Sequence, residues 1–288
     1  HCTSNTAPLR IQVPLILTLH DIIFLENRQG SSKSLYQNMG RCYRRLVVPR
    51  ILPKCRKIIT VSHFECNRIR ETLHLPENKI MAIYNGFSNH FQPLDNIETV
   101  TQKYIPVTGY LFFLGNTDPK KNTPRTLKAY YSYLQQSNEK RPLLIADLKP
   151  EFVDEMLKET GLENIRPYLY LPGYIPNTDL PFIYNGAFAF LYTSLRESFG
   201  IPLLEAMACG IPVITSDTSS MPEIGGEGAI LTDPTDERSI AAQLLLLEQD
   251  KEYYQKQSAY GLGRAKCFSW EQTARELLKL YQSTVKSK

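Results

Sequence analysis

The stretch Glu197-Ser198-Phe199-Gly200-Ile201-Pro202-Leu203-Leu204-Glu205 decides how this 288-residue chain reads. Before it, the apolar run Gly186 to Tyr192 has the length and bounds of a buried strand. After it, Pro202 suits a first helical position, Leu203, Leu204, Ala206 and Met207 supply apolar contacts, and Gly210 marks the stop. The segment is therefore a strand-to-helix junction. Glu197 lies on the loop at the carboxyl end of the strand, and Glu205 faces the same crevice from the first turn of the helix. In open α/β sheets that is where ligands bind. Backbone N–H groups around Gly200 and Ile201 add an anion site at the helix start. Two carboxylates suit hydroxyls and a helix N-terminus suits phosphate, so the pattern points to a sugar nucleotide.

The surrounding sequence supports that sheet. From Tyr110 onward the pattern predicts strands at 110–114, 143–146, 168–171, 187–192, 212–215 and 229–231. Helices are predicted at 124–137, 150–160, 179–185, 202–209, 237–249, 252–266 and 270–284. Strand and helix in regular succession mean right-handed crossovers and a doubly wound parallel sheet. Upstream, Val13 to Leu19 reads as a buried strand ending at His20-Asp21, and Ser34 to Leu52 as a helix broken near Pro49 and Pro53. Lys57 to Val61 reads as the next strand. Ser62 then caps a helix to Leu73, with Glu65 three residues on, and Lys79 to Tyr84 is a strand closed by an Asn85-Gly86 turn. The expected division is a partial first Rossmann-like domain over 1–95, a linker over 96–108, a second Rossmann-like domain over 109–270, and a terminal helix over 271–288 crossing back to the first.

A second chemical site follows the strand Leu111-Phe112-Phe113-Leu114. Gly115 permits a tight exit, the loop runs Asn116-Thr117-Asp118-Pro119-Lys120-Lys121-Asn122, and a helix opens with Thr123 as N-cap and Pro124 first. Lys120 and Lys121 lie at the same sheet edge as Glu197 and Glu205. There a lysine can neutralise a pyrophosphate leaving group in place of a divalent metal. Alone, Asp-Pro-Lys-Lys is ordinary turn chemistry; beside the paired glutamates the functional reading wins. His20, at a strand end of the other domain, is the third element, able to hydrogen-bond a sugar or a developing charge. On spacing alone a lone histidine there is more often structural. The sequence has no Gly-x-Gly-x-x-Gly, Walker or metal-ligand spacing, which argues against dinucleotide oxidoreduction and ATP hydrolysis.

Composition bounds the rest. The length suits two domains of roughly 100 to 200 residues, and no apolar stretch reaches the roughly 18 to 20 residues that span a bilayer. Cysteines 2, 42, 55, 66, 209 and 267 are scattered with no Cys-x-x-Cys pair, so a reducing cytoplasm is expected and a metal or disulfide framework is not. The chain opens at His1 with no initiator Met or signal sequence, and reads as a fragment entering mid-domain. Residues 1–95 hold 13 Lys and Arg against 6 Asp and Glu. Seven bases (Arg41, Arg44, Arg45, Arg50, Lys54, Arg56 and Lys57) fall within residues 41–57, with no acid and with Leu46, Val47, Val48, Ile51 and Leu52 interleaved. That stretch suits either peripheral contact with an anionic membrane, at its inner face, or a solvated helix with its apolar side on the core. No nucleic-acid module is present.

Glu197 to Ser216, with its Glu-x7-Glu block, resembles the signature of retaining glycosyltransferases of family 4, which have the GT-B fold of two Rossmann-like domains facing a cleft. Leu17-Thr18-Leu19-His20-Asp21, Ile59-Thr60-Val61-Ser62, Tyr84-Asn85-Gly86, Gly115 to Asn122, Leu171-Pro172-Gly173-Tyr174-Ile175 and Met221-Pro222-Glu223-Ile224-Gly225 follow in the family's order. The resemblance implies that Glu205 accepts ribose hydroxyls and Glu197 contacts the donor sugar's hydroxyls. Lys121 would hold the diphosphate, helped by Lys120 and the segment Ser198, Phe199, Gly200 and Ile201. Gly115 and Asn116 would shape the donor loop, and Tyr174 and Ile175 would line the base pocket. His20 would lie near the reacting carbon. The implied reaction is metal-independent hexosyl transfer with retention, needing no cofactor. The donor is a nucleotide diphosphate sugar, leaning to GDP-mannose over a UDP-hexose, and the acceptor a saccharide or a lipid-linked one in surface polysaccharide synthesis.

Two departures stand out. Asn116 replaces an arginine common in the family, which shifts phosphate neutralisation onto the lysines. The family's opening strand and glycine-rich loop are not in this sequence. Two other readings therefore stay open: a truncated or degenerate transferase that binds nucleotide sugar without turnover, and another GT-B enzyme such as a phosphorylase or epimerase, which the Glu-x7-Glu block disfavours.

Overall fold

The computed structural model describes residues 1–26 and 35–286. The chain forms two compact units, one of residues 1–86 with 269–288, the other of residues 87–268.

In the first unit, β1 (Leu15–Thr18), β2 (Cys55–Thr60) and β3 (Ile80–Ala82) form a parallel sheet in sequence order, connected by α1 (Leu35–Ile51) and α2 (His63–Leu73). Strand alternation divides the apolar side chains between two faces, as expected where both are covered. Leu15, Leu17 and Ile58 pack with Val48, Ile51 and Ile69 of the two helices. Ile16, Ile59 and Ile83 pack with Leu277, Leu280 and Tyr281 from the far end of the chain. Ser62 caps α2, its Oγ accepting from the Glu65 N–H at 3.2 Å. The Ser34 start predicted for α1 lies outside the described residues.

The basic stretch lays its apolar side on the core. Val47, Val48 and Ile51 of α1 are buried, while Met39, Tyr43 and Leu46 form an exposed stripe at helical spacing on the same helix. Arg41 and Arg45 donate to the Phe24 carbonyl at 3.0 and 2.7 Å.

The second unit carries β4 (Tyr110–Leu114), β5 (Leu143–Ala146), β6 (Leu169–Gly173), β7 (Ala187–Tyr192), β8 (Val213–Ser216) and β9 (Ile230–Thr232). All pairs are parallel and the order is β6-β5-β4-β7-β8-β9. The intervening helices are α3 (Glu98–Thr101), α4 (Thr123–Gln136), α5 (Pro150–Thr160), α6 (Leu180–Gly186), α7 (Ile201–Ala208), α8 (Met221–Gly225), α9 (Glu237–Gln249) and α10 (Lys251–Ala265). The last helix, α11 (Trp270–Lys286), belongs to the first unit.

Three expectations change. Residues 96–108 are part of the second unit: α3 packs on α6 and Ile105 is buried, because a short apolar contact outweighs the segment's lack of periodicity. Gly86 does not serve a turn. A Cβ there would lie 2.1 Å from the Trp270 backbone nitrogen, so glycine admits the 269–270 backbone at the start of α11. Gly115 has the same kind of role, since a Cβ would meet Leu148 at 2.5 Å and Ile145 at 2.8 Å. No helix among the described residues is long and apolar enough to cross a membrane.

Candidate donor site at the sheet switch point

In the second unit the chain moves from β4 outward to β5 and β6, then returns to β7 and moves outward the other way to β8 and β9. The order reverses between β4 and β7, and the loops leaving those two strands are where such a sheet binds ligands. They are residues 115–122 and 193–200, the two segments that the sequence marks for chemistry.

Asn122 joins them. It takes the left-handed conformation at φ 61°, which asparagine tolerates better than most residues, and serves as N-cap position of α4. Its buried Nδ2 donates to the Thr193 carbonyl at 3.0 Å and the Pro234 carbonyl at 2.7 Å, tying together the ends of β4, β7 and β9. The Leu195 N–H donates to the Lys120 carbonyl at 2.7 Å. Thr123 is the first helical residue and not the cap. Its hydroxyl donates back to the Asn116 carbonyl at 2.7 Å, closing the loop.

On this frame Lys121 Nζ donates to Glu197 Oε1 at 2.6 Å and lies 5.5 Å from the centre of the Tyr192 ring. Both charged side chains are mostly shielded, 25% and 15% exposed. The Glu197 backbone is fixed from the β8 side: its N–H donates to Ser219 Oγ at 2.9 Å, and its carbonyl accepts from Ser220 Oγ at 3.0 Å. Lys120 turns elsewhere, pairing with Asp118 at 3.7 Å on the surface.

Glu205 stands in the second turn of α7, one turn deeper than expected. The Tyr184 hydroxyl donates to its Oε2 at 3.4 Å. Burial pushes the Glu205 carboxyl up from 4.5 to about 7, and the tyrosine's hydrogen bond offsets part of that. Tyr192 connects the two acids. It is buried, it hydrogen-bonds Glu197, and the charges of both Glu197 and Glu205 help burial raise its hydroxyl well above the usual range. Both carboxylates thus act on the hydroxyl of one tyrosine. Tyr184, Tyr192, Asn122 and the Ser219–Ser220 pair went unmarked in sequence because each sits in a segment that reads as core or plain turn.

Gly200 is the N-cap position of α7 at φ 101° and supplies no side-chain acceptor. That backbone favours glycine, and a Cβ there would also press on the Met221 Cε at 2.6 Å. Ile201 takes the first helical position and Pro202 the second. Phe199 is buried edge-on against Phe268 at 6.0 Å, and Ser198 is half-buried between them and Glu197 in sequence. Asn116 uses its Oδ1 to accept from the Asp118 N–H at 2.9 Å. At the end of β6, Ile175 is buried, leaving main chain for contact, while the Tyr174 ring is 72% exposed. In the first unit, His20 Nε2 donates to the Thr3 carbonyl at 3.0 Å, which fixes the proton on that nitrogen, and its N–H donates to Asn5 Oδ1 at 2.7 Å. Among the described residues no group of three His, Cys, Asp or Glu side chains is placed to hold a metal ion.

Comparison with known proteins shows the family. The family model for "Glycosyl transferases group 1" matches residues 106–264, and that for "Glycosyltransferase Family 4" matches residues 1–89. The chain is 32% identical over 271 residues to O-antigen chain mannosyltransferase B of Escherichia coli, covering 93% of this chain and 70% of that one. Some relatives are much longer, the chain spanning 27% of one of them. Its fold is similar to sucrose-phosphate synthase from Thermosynechococcus elongatus, with TM-score 0.75 and 20% identity over 95% of this chain and 68% of that one. It is also similar to Anabaena HepE solved with UDP-glucose, with TM-score 0.74 and 18% identity over 94% and 72%.

Proposed function

Because the chain belongs to the group 1 glycosyl transferases and has the GT-B fold of its structural neighbours, we propose that it moves mannose from a nucleoside diphosphate sugar to a saccharide or lipid-linked acceptor in surface polysaccharide synthesis. The transfer retains anomeric configuration and needs no metal. The observation that carries this reading is Lys121 held against Glu197 at the switch point of one parallel sheet, with Glu205 on the helix that leaves the same loop. The likeness to a named O-antigen mannosyltransferase supports the sugar and the pathway class.

In this reading Glu205 accepts from the ribose hydroxyls and Glu197 from those of the donor sugar. Lys121, already poised beside Glu197, carries the positive charge for the diphosphate; Lys120, which pairs with Asp118 on the surface, would have to leave that pair to help. The amides at the start of α7, near Phe199 to Ile201, complete the anion site. Gly115 and Asn116 shape the loop beneath it, and the backbone at Tyr174 and Ile175 holds the base. In the transfer step the anomeric carbon–phosphate oxygen bond breaks as the acceptor oxygen bonds that carbon on the same face. The acceptor's proton passes to the departing phosphate. Lysine and helix amides stabilise the negative charge that grows on that phosphate. The family resemblance assigns His20 to the reacting carbon.

The same reading gives α1 a peripheral membrane role. Its exposed Met39, Tyr43 and Leu46 beside Arg45 and Arg50 suit insertion at an anionic surface, where a lipid-linked acceptor would be found.

The test is incubation of the full-length protein with GDP-mannose and UDP-hexoses, a saccharide or lipid-linked acceptor, and a chelator. Product with the donor's anomeric configuration is expected. Transfer abolished by the chelator and restored by a divalent ion, or inversion at the anomeric carbon, overturns the mechanism.

A further inference from the structure

Asp147 directly follows β5, the strand between β4, whose loop carries Lys121, and β6, whose loop carries Tyr174 and Ile175. The end of β5 is fastened on both sides. The Gly115 N–H donates to the Ala146 carbonyl at 2.9 Å, and the Asp147 N–H donates to the Gly173 carbonyl at 2.8 Å. Asp147 thus stands at the sheet edge between the loop assigned to diphosphate and the loop assigned to base. Asp147 is exposed, its carboxylate has no hydrogen-bond or ion-pair partner among the described residues, and partial desolvation raises its pKa. Its backbone is left-handed at φ 64°, where glycine would be less strained. A carboxylate kept unpaired at such a position fits a ligand that brings hydrogen-bond donors.

We propose that Asp147 reads the nucleobase of the donor and selects guanine. This rests on the donor-site reading above and names the ligand of that site. An ionised carboxylate only accepts hydrogen bonds, and it can accept two side by side. Guanine presents two adjacent donors, N1–H and the 2-amino group. Uracil offers one N–H flanked by two carbonyl oxygens that a carboxylate repels. Adenine places a ring acceptor beside its amino group. The ribose already has Glu205 as acceptor on α7, whereas Asp147 is bonded through its backbone to the base-side loop.

The experiment measures dissociation constants of the full chain for GDP, IDP, 2′-deoxy-GDP and UDP, by calorimetry, with wild type and Asp147→Asn. IDP lacks the 2-amino group and 2′-deoxy-GDP lacks the ribose 2′-hydroxyl. Asp147→Gly serves as second variant, because glycine accepts the same backbone and removes the carboxylate without strain. Wild type binds GDP roughly 10- to 100-fold tighter than IDP or UDP, the range for losing a charge-assisted bond, and both variants erase that preference. Equal affinity for GDP and IDP, or a preference for UDP, overturns the guanine assignment and leaves the nucleotide-sugar reading intact. A guanine preference that survives in both variants removes Asp147 from the base. Should the 2′-deoxy penalty vanish in the variants instead, the carboxylate belongs to ribose and the proposal fails. Failure of wild type to bind any nucleoside diphosphate removes the donor site itself.

Discussion

Lys121 Nζ lies 2.6 Å from Glu197 Oε1, so the candidate phosphate cation is paired with the candidate sugar-binding acid. A diphosphate must compete with Glu197 for that charge. Glu197→Gln frees the lysine, so nucleoside diphosphate should bind about fivefold tighter, from the ~1 kcal/mol of a partly shielded pair, while transfer slows. Titration calorimetry with GDP and UDP, alongside turnover, checks both halves. Tighter binding that fails to appear means the pair does not gate phosphate.

Replacing the lysine acts in the opposite sense. Lys121→Ala should weaken diphosphate binding by roughly 1.5 to 3 kcal/mol, the range for a charge-assisted contact. Affinity for the bare nucleoside should hardly change. Equal losses for nucleoside and diphosphate exclude a phosphate role.

Glu205 makes a pH prediction with a definite sign. Its folded carboxyl titrates near 7, above the ordinary 4.5, so between those values the folded state holds the extra proton. Stability therefore falls as pH rises from 4.5 to about 7, by on the order of 3 kcal/mol from this group. Glu205→Gln should flatten that slope in urea melts and raise stability at pH 8. Ribose hydroxyls donate best to the ionised form, so nucleotide affinity in wild type should drop as pH falls below about 7. The glutamine variant should bind weakly at every pH.

Asn122 is a test of loop stitching. Asn122→Ala removes two buried hydrogen bonds and places alanine in a left-handed backbone. A loss of about 2 to 4 kcal/mol is expected. Asn122→Gly, which suits the backbone, should recover part of it. Identical melts for the two variants rule out the conformational component.

For α1, vesicle co-sedimentation separates surface contact from a plain solvated helix. Binding to vesicles rich in anionic lipid should exceed binding to neutral ones, and Leu46→Glu should abolish the difference. Leu46 is 59% exposed, so the fold should survive the change. No binding to either vesicle dismisses the membrane role.

Much of the fold was legible because the physics is local. Apolar runs such as Leu111 to Leu114 can only be buried strands when turn residues bound them, and β4, β7, α5 and α9 fall within a residue of their predicted places. Ser62 announced its cap through the Glu65 spacing. Lys121 and Glu197 could be brought together because each lies on the loop that follows a strand adjoining the switch point. Other features were hidden where one residue type serves two ends. Gly86 and Gly115 read as turn formers, and only the packed backbone shows that they make room for close neighbours. Tyr184 and Tyr192 looked like core aromatics, and burial is indeed most of what they do; their hydroxyls touch the site acids only once α6 and β7 are placed. The segment 96–108 lacked periodicity because a single helical turn is too short to show any.

The position of α11 bears on synthesis. Residues 269–286 supply Leu277, Leu280 and Tyr281 to the sheet face that Ile16, Ile59 and Ile83 leave open. During translation that face stays uncovered until residues 269–286 have left the ribosome, long after its own strands have been made. The usual N-to-C order of domain maturation is thereby inverted, and the second unit can finish first. Nascent chains stalled before residue 270 should hold a protease-resistant second unit beside a first unit that still recruits chaperones.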